Sequence, residues 1–308
     1  MKLLLIDGYY YAYRSFFAIR DLTNSRGEPT NAIFGFTRAV RRMVKQLAPD
    51  LAAVVWDEGL PERRTQLQTQ YKQNRKEMPD ALSAQIEAIH AIVPLLGLHG
   101  ISLPNTEADD LIASYAHAAR ARGIDVVLAT NDKDLFQLVA EGVKIYSTNK
   151  TDLASPKDTH ALLDRDAVVK KWGVEPQQIG DVLCFIGDSV DNIPGVPGIG
   201  EKGAVALLRE HGSIDAILKN PDAIKSEKVR EKIKAGREQL LQNREMVRLD
   251  LDLPMPVPID DLKIAPRYPE LIAALEKCEF KTLTQEVRDE AAKAAVSAKG
   301  ASEQGMLF

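Results

Sequence analysis

At 308 residues, with 45% hydrophobic and 27% charged residues and a net charge of −4, the chain has the length for two domains and the balance of a folded globular protein. A charge so close to neutral excludes a wholly basic nucleic-acid binder, although charge segregated along the chain stays compatible with one. Two cysteines and five histidines form no C-x-x-C or H-E-x-x-H spacing, and no run reaches the roughly 18 apolar residues of a membrane helix, so a zinc site and a membrane span are excluded and a cytoplasmic protein is expected.

Leu3 to Asp7 predicts a buried strand, followed by a helix over Ala32 to Leu47, a strand over Leu51 to Asp57, and helices over Ala81 to Leu96 and Glu107 to Arg122. Strands at Val126 to Thr130 and Val143 to Tyr146 close the series. Strands alternating with helices imply an α/β half with a parallel sheet covered on both faces. From about Arg165 the β-branched runs thin out, and AVVKKWG, IGDVLCFIG, AVALLREHG and LLQNREMVRL predict a mainly helical second half. Arg288 to Phe308, Ala-rich and without an apolar face, reads as a frayed or disordered tail.

Three of these strands end on acids: Asp7, Asp57, and Asp132 with Asp134. In an open parallel sheet the ligand site lies outside the carboxyl ends of the strands, so these acids are expected in one crevice. Glu107, Asp109 and Asp110 begin a helix, where Thr106 is a good N-cap and acids suit the first turn, so that group alone has an ordinary structural explanation. Asp188 and Asp191 add another close pair. Two carboxylates about 4 Å apart repel by roughly 1 kcal/mol in water and roughly 4 at a partly buried site, so a cluster this large calls for cations. Oxygen-only ligation suits Mg²⁺ or Mn²⁺, and two such ions suit hydrolysis of a phosphodiester.

Gly198 to Gly203 spells G-x-G-x-x-G but follows the Pro-broken NIPGVP rather than a strand, and Glu201 stands where a Walker lysine would be, so no nucleotide loop is predicted. What remains is a glycine hairpin between helices, where a backbone approaches something closely. Positive charge gathers in 61–76, with Arg63, Arg64, Lys72, Arg75 and Lys76 placed just after Asp57, and again in Lys225 to Arg237, which reads equally as a solvated helix face. The first group is expected to overhang the acidic crevice and hold a polyanion there. Tyr71 within it is either a base-stacking residue or a packed one.

IDGYYYAYRSFFA, WDEGLPERR, YKQNRKEMP, TEADDLIAS, ATNDKDLFQLV and GDSVDNIPGVPGIGEKGA together resemble the bacterial 5′ nucleases: the 5′-3′ exonuclease domain of DNA polymerase I and its stand-alone flap endonuclease relatives. The resemblance covers about residues 1 to 290. It implies a PIN-like nuclease domain over 1–164 with a helical arch at about 58–95, a helical domain over 165–288 with a helix-three-turn-helix element at about 181–212, and a tail over 289–308. It further implies Asp7, Asp57, Glu107 and Asp109 around one Mg²⁺ or Mn²⁺, and Asp132, Asp134, Asp188 and Asp191 around a second, with Asp110 beside them. Lys72 is expected on the scissile phosphate with Arg75 and Arg14 assisting, and Gly195, Gly198, Gly200 and Lys202 on the DNA backbone, with K⁺ at the hairpin. Asn131 and the pair Asn105-Thr106 depart from the family's usual glycines. The terminal Gln304-Gly-Met-Leu307-Phe308 resembles the Q-x-x-L-F peptide that docks on the sliding clamp.

The expected protein is a monomeric, nucleoid-associated, structure-specific nuclease that removes 5′ ends or flaps from branched duplex DNA in replication and repair, without a polymerase domain. Its competitors are a catalytically silent junction-binding protein and a small-molecule phosphatase using Asp7 as nucleophile.

Overall fold

The computed structural model describes residues 1–155 and 157–304, of which 297–304 by backbone alone. The chain forms two compact units, neither of them continuous in sequence. The first gathers 1–7, 55–77 and 101–259, and the second gathers 8–54, 78–100 and the described residues from 260 on.

In the first unit β1 (Lys2–Asp7) pairs in parallel with Asp125–Ala129, that strand in parallel with Val143–Ser147, and the last antiparallel with Ala161–Leu163. In chain order, with Leu51–Val55 as β2 and His99–Ile101 as β3, these three are β4, β5 and β6. Leu3 to Ile6 and Val126 to Ala129 are buried throughout, the mark of strands covered on both faces. The sheet is therefore mixed, and the short strands β3 and β6 lie outside the expected set because runs of three carry too little pattern to register. Register does the positioning: Ile6 opposes Ala129, so the next residues, Asp7 and Thr130, leave the sheet side by side.

Helices are numbered in chain order as α1 (Gly8–Ala18), α2 (Asn31–Leu47), α3 (Glu62–Leu67), α4 (Asp80–Leu95), α5 (Ala108–Ala121), α6 (Arg165–Trp172), α7 (Ile179–Ile186), α8 (Glu201–His211), α9 (Ile214–Lys219), α10 (Glu227–Ala235), α11 (Arg237–Val247), α12 (Tyr268–Lys277) and α13 (Lys281–Gln304). The expected helix-three-turn-helix region is α7 and α8 joined by a two-residue antiparallel ladder, Gly187 with Pro194 and Asp188 with Ile193. Buried Asn243 on α11 donates to the Cys184 and Pro194 carbonyls at 2.8 and 2.7 Å, fastening the end of α7 to the hairpin. Gly187 holds φ +71° with ψ −175°, a glycine-only conformation, and a Cβ there would meet the backbone of Gly195 and Ile193. Gly187→Ala is expected to cost at least about 2 kcal/mol, read as a lowered midpoint in urea unfolding.

The second unit contains α1, α2, α4, α12 and α13. Thr30 gives α2 no side-chain cap, and the buried Gln85 of α4 takes over: its Oε1 accepts from the amides of Ala32 and Ile33 at 2.8 and 3.2 Å. Helix α1, missing from the expected elements, buries Gly8, Tyr11, Ala12 and Ser15, a helical stripe made largely of small residues. A Cβ on Gly35 of α2 would come within 2.7 Å of Ser15 Cβ, so the two helices depend on those small residues for their close approach.

Of the tail read from sequence over Arg288 to Phe308, residues 288–304 continue α13, and 305–308 lie outside the described residues. Alanine favours helix, and Arg41 ties Glu286 and Glu290 of that helix at 3.0 and 2.7 Å. Among the described residues no helix is long and apolar enough to cross a membrane.

A candidate metal centre framed by buried cations

Each acid reaches the site through a local reason. Thr130 Oγ1 donates to Asp7 Oδ2 at 3.0 Å across the ends of β1 and β4. The same hydroxyl accepts from the Asp132 amide, and Asp132 Oδ1 accepts from the Asp134 amide at 2.9 Å, turning the chain back at the end of β4. Asp57 is held between Trp56, whose amide donates to the Ile101 carbonyl, and Glu58, which exchanges two backbone bonds with Thr106. Its Oδ1 accepts from the Ala108 amide at 3.2 Å, so Asp57 serves the start of α5 that Thr106 was expected to cap; the Thr106 hydroxyl turns to the Pro104 carbonyl. Asn105 holds φ +55°, a conformation that asparagine tolerates where glycine is usual.

Asp109, Asp132 and Asp134 each bring a carboxylate oxygen within 4.8 Å of the others. Burial, then the charges of Asp132, Asp7, Asp57 and Asp134, push the Asp109 carboxyl well above the ordinary range. Burial likewise raises Asp132 and raises Asp134 strongly, with Asp191 and Asp188 adding to both. Acids that repel one another in this way are poorly placed as unpaired anions and well placed around a cation. All donors are carboxylate oxygens, a set that suits a hard divalent cation. Asp109, which the resemblance implies around the first ion, lies here with Asp132 and Asp134, which it implies around the second.

Glu107 and Asp110 belong to a different arrangement. Both are 1% exposed, and both take Arg64, itself 3% exposed. Arg64 Nη1 pairs with Glu107 and with Asp110 Oδ2 at 2.7 Å, Nη2 reaches Asp110 Oδ1 at 2.9 Å, and Nε donates to the Met246 carbonyl. Arg63, beside it, anchors α3 on the carbonyls of Glu245 and Arg248. Nothing in the pattern of 61–76 separates Arg64 from its neighbours, so its role as the buried counter-ion of α5 shows only in the structure.

Lys72 is buried with its ammonium on Glu107 and 3.9 Å from Asp191, in a backbone conformation of φ +59° rare outside glycine. Arg75 pairs with Asp191 at 2.9 Å. Arg64, Lys72 and Arg75 of the basic stretch therefore pair with acids of the site, where an overhanging face was expected. Tyr71 takes the packed alternative: it is 6% exposed, its hydroxyl donates to Glu107 at 3.1 Å, and burial beside Asp191 raises that hydroxyl's pKa. Asp188 pairs with Lys133 at 2.8 Å.

In the hairpin a Cβ on Gly195 would meet the Ile186 carbonyl, and Gly198 holds φ +76°. The Gly198 carbonyl, a candidate for K⁺, accepts from the Lys232 ammonium at 2.8 Å. Gly200 precedes α8 with open space where a side chain would stand, and Lys202 is exposed in the first turn of α8. Arg14 belongs to the second unit, where it donates to the Tyr10 hydroxyl at 3.4 Å. Leu307, Phe308 and the side chain of Gln304 lie outside the described residues.

A family model described as the 5′-3′ exonuclease N-terminal resolvase-like domain matches residues 2–173, and one described as the 5′-3′ exonuclease C-terminal SAM fold matches 174–270. The chain is 38% identical to a 5′-3′ exonuclease of Aquifex aeolicus over 92% of its own length and 94% of that protein. It is also 38% identical to the thermostable DNA polymerase I of Thermus thermophilus, over 92% of this chain but 33% of the polymerase, so it spans about a third of that relative. Among solved structures, the T5 D15 protein co-crystallised with metal ions shares the fold at 22% identity and a TM-score of 0.65, covering 94% of this chain and 99% of that one. The catalytic core of Rad2 in complex with DNA substrate does so at 16% and 0.59, over 90% and 87%. With a family model over more than half its length and a relative matched nearly end to end, the chain belongs to the 5′-3′ exonuclease family and is a nuclease, a hydrolase of phosphodiesters.

Proposed function

We propose that this nuclease cuts at 5′ ends and 5′ flaps of branched duplex DNA, with two divalent ions held by its acidic site. The observation that carries the reading is the convergence of Asp109, Asp132 and Asp134 within 4.8 Å, with Asp7 and Asp57 near enough to raise Asp109. Mg²⁺ or Mn²⁺ bound there supplies an activated water and neutralises charge on the phosphodiester. Asp109, Asp132 and Asp134 would hold that charge, with Asp7, Asp57, Asp188 and Asp191 around them.

The protein's own cations do the rest. Lys72 and Arg75 already sit on Glu107 and Asp191, so a phosphate entering the site meets positive charge fixed in place. Arg64 holds Glu107 and Asp110 in place through its guanidinium. Hydrogen bonds from main chain and amide groups at the hairpin suit recognition of shape over sequence. Lys72→Ala is expected to lower the single-turnover cleavage rate about a hundredfold while changing DNA affinity little, as removal of one preorganised charge does. The reverse pattern in a rapid-quench and anisotropy comparison would make Lys72 a docking residue.

Cleavage of an end-labelled flap duplex, mapped at nucleotide resolution, tests the proposal. Cutting at the single-strand to duplex junction in Mg²⁺ and none in EDTA is expected. Binding without cutting in Mg²⁺ would leave a junction-binding protein instead, and turnover of a chromogenic phosphate ester without flap cleavage would leave the phosphatase. A sliding-clamp role for Gln304, Leu307 and Phe308 is proposed from sequence alone, with loss of clamp binding on their deletion as its test.

A further inference from the structure

Beside the acidic site, in the first unit, 66–74 and 186–195 enclose a cleft of about 800 Å³ into which α11 also reaches. Its lining is unlike the rest of that region. Arg63, Arg64, Lys72, Arg75 and Lys76 crowd the same stretch of chain, yet among the described residues no charged side chain lines the cleft; Gln66, Gln68, Gln70, Asn74, Gln239 and Gln242 do. A phosphate placed there would lack a counter-ion, and burying an unpaired charge is costly. Amides both donate and accept, which suits a neutral, planar group with both kinds of edge.

Two further features point to a ligand. Gln68 uses its amide nitrogen on the Asn192 carbonyl, but its Oε1 is buried with no hydrogen-bond partner, and a buried acceptor left unpaired costs free energy. Leu67, 39% exposed, contributes an apolar wall against which a ring can lie. The cleft is fixed in place by the Asn192 amide on the Gln70 carbonyl and the Asn74 amide on Asn192 Oδ1, both at 2.7 Å. Asn192 follows Asp191, which carries Arg75 and lies 3.9 Å from Lys72, so a strand at the acidic site has a nucleotide's reach to the cleft.

We infer that this cleft binds one unpaired nucleobase of the substrate strand, an inference that rests on the flap-nuclease reading above. A paired base has its hydrogen-bonding edge occupied and cannot enter a concavity, so the site would take a base only where the duplex has opened. Because each amide can present either a donor or an acceptor, the site would tell unpaired from paired and be tolerant of which base it holds.

The test uses the full chain and flap duplexes carrying a natural or an abasic nucleotide at each of the first few unpaired positions, with affinity read by fluorescence anisotropy and cleavage followed in Mg²⁺. An abasic residue at one of these positions is expected to weaken binding to the wild-type protein about tenfold, the effect of one or two net hydrogen bonds, with the four natural bases within about threefold of one another. In Gln70→Leu, which replaces one amide by an apolar chain of similar length, natural and abasic flaps should bind alike. Equal affinity for natural and abasic flaps in the wild-type protein overturns the inference while leaving the nuclease reading intact. So does a loss caused only by neutral methylphosphonate linkages, which would assign the cleft to the strand's backbone. If the natural flap is neither bound nor cut, the parent reading falls and takes this inference with it.

Discussion

Asp132→Asn is expected to lower flap cleavage in Mg²⁺ by about a thousandfold or more, the scale of losing a group that acts directly on transition-state charge. The substitution is nearly isosteric. Asparagine keeps an oxygen for the Asp134 amide, now 2.9 Å from Asp132 Oδ1, so the turn at the end of β4 should survive. What it removes is one negative charge from a pocket where Asp109 and Asp134 are already pushed up by burial and by Asp132 itself. Without metal the variant should unfold no earlier than the wild-type protein, since a repulsion has been relieved. DNA affinity should change little, because Lys72, Arg75 and the hairpin are untouched. Cleavage retained within about tenfold would strike Asp132 from the charged set that holds the metal.

The second large effect concerns stability. Arg64→Met is expected to destabilise the protein by about 3–5 kcal/mol, the usual result of removing one partner from a buried ion pair. Arg64 is 3% exposed and pairs with two carboxylates that are each 1% exposed, so its loss would leave Glu107 and Asp110 as neighbouring buried anions. Lys72 and Tyr71 still serve Glu107, but among the described residues Asp110 keeps the Asp250 amide at 3.0 Å alone. Asp110→Asn in the Arg64→Met background should recover part of the loss, because one of the stranded charges is gone. Urea unfolding of the single and double variants measures both values, and a single variant within about 1 kcal/mol of wild type would show that the pair is replaceable by packing.

The strands and the acids at their ends were legible because buried parallel strands are long apolar runs, against which a terminal Asp stands out. The glycine hairpin was legible as a place of close approach, and at its entry φ +71° with ψ −175° and the backbone of Gly195 and Ile193 leave Gly187 no room for a Cβ. Arg64 was not legible: a buried guanidinium is spelled like an exposed one, and only the fold shows that Glu107 and Asp110 come to meet it. Tyr71 was equally silent between stacking and packing until Glu107 took its hydroxyl. Helix α1 escaped because its buried stripe is built from Gly8, Ala12 and Ser15 beside Tyr11, small residues that carry little hydrophobic signal. Along α13, Glu286 and Glu290 pair with Arg41, a partner far away in sequence that no local pattern announces.

Calorimetric titration of the metal-free protein with Mn²⁺, carried out in two buffers of different ionisation enthalpy, tests the central claim most directly. Burial and mutual repulsion hold Asp109, Asp132 and Asp134 above the ordinary carboxylate range, so binding a cation must expel the protons they retain. The account predicts two Mn²⁺ per chain, release of protons that is larger at about pH 6 than at about pH 8, and loss of at least one ion in Asp132→Asn. Binding of no Mn²⁺, or the same isotherm in the wild-type protein and in Asp132→Asn, would contradict it.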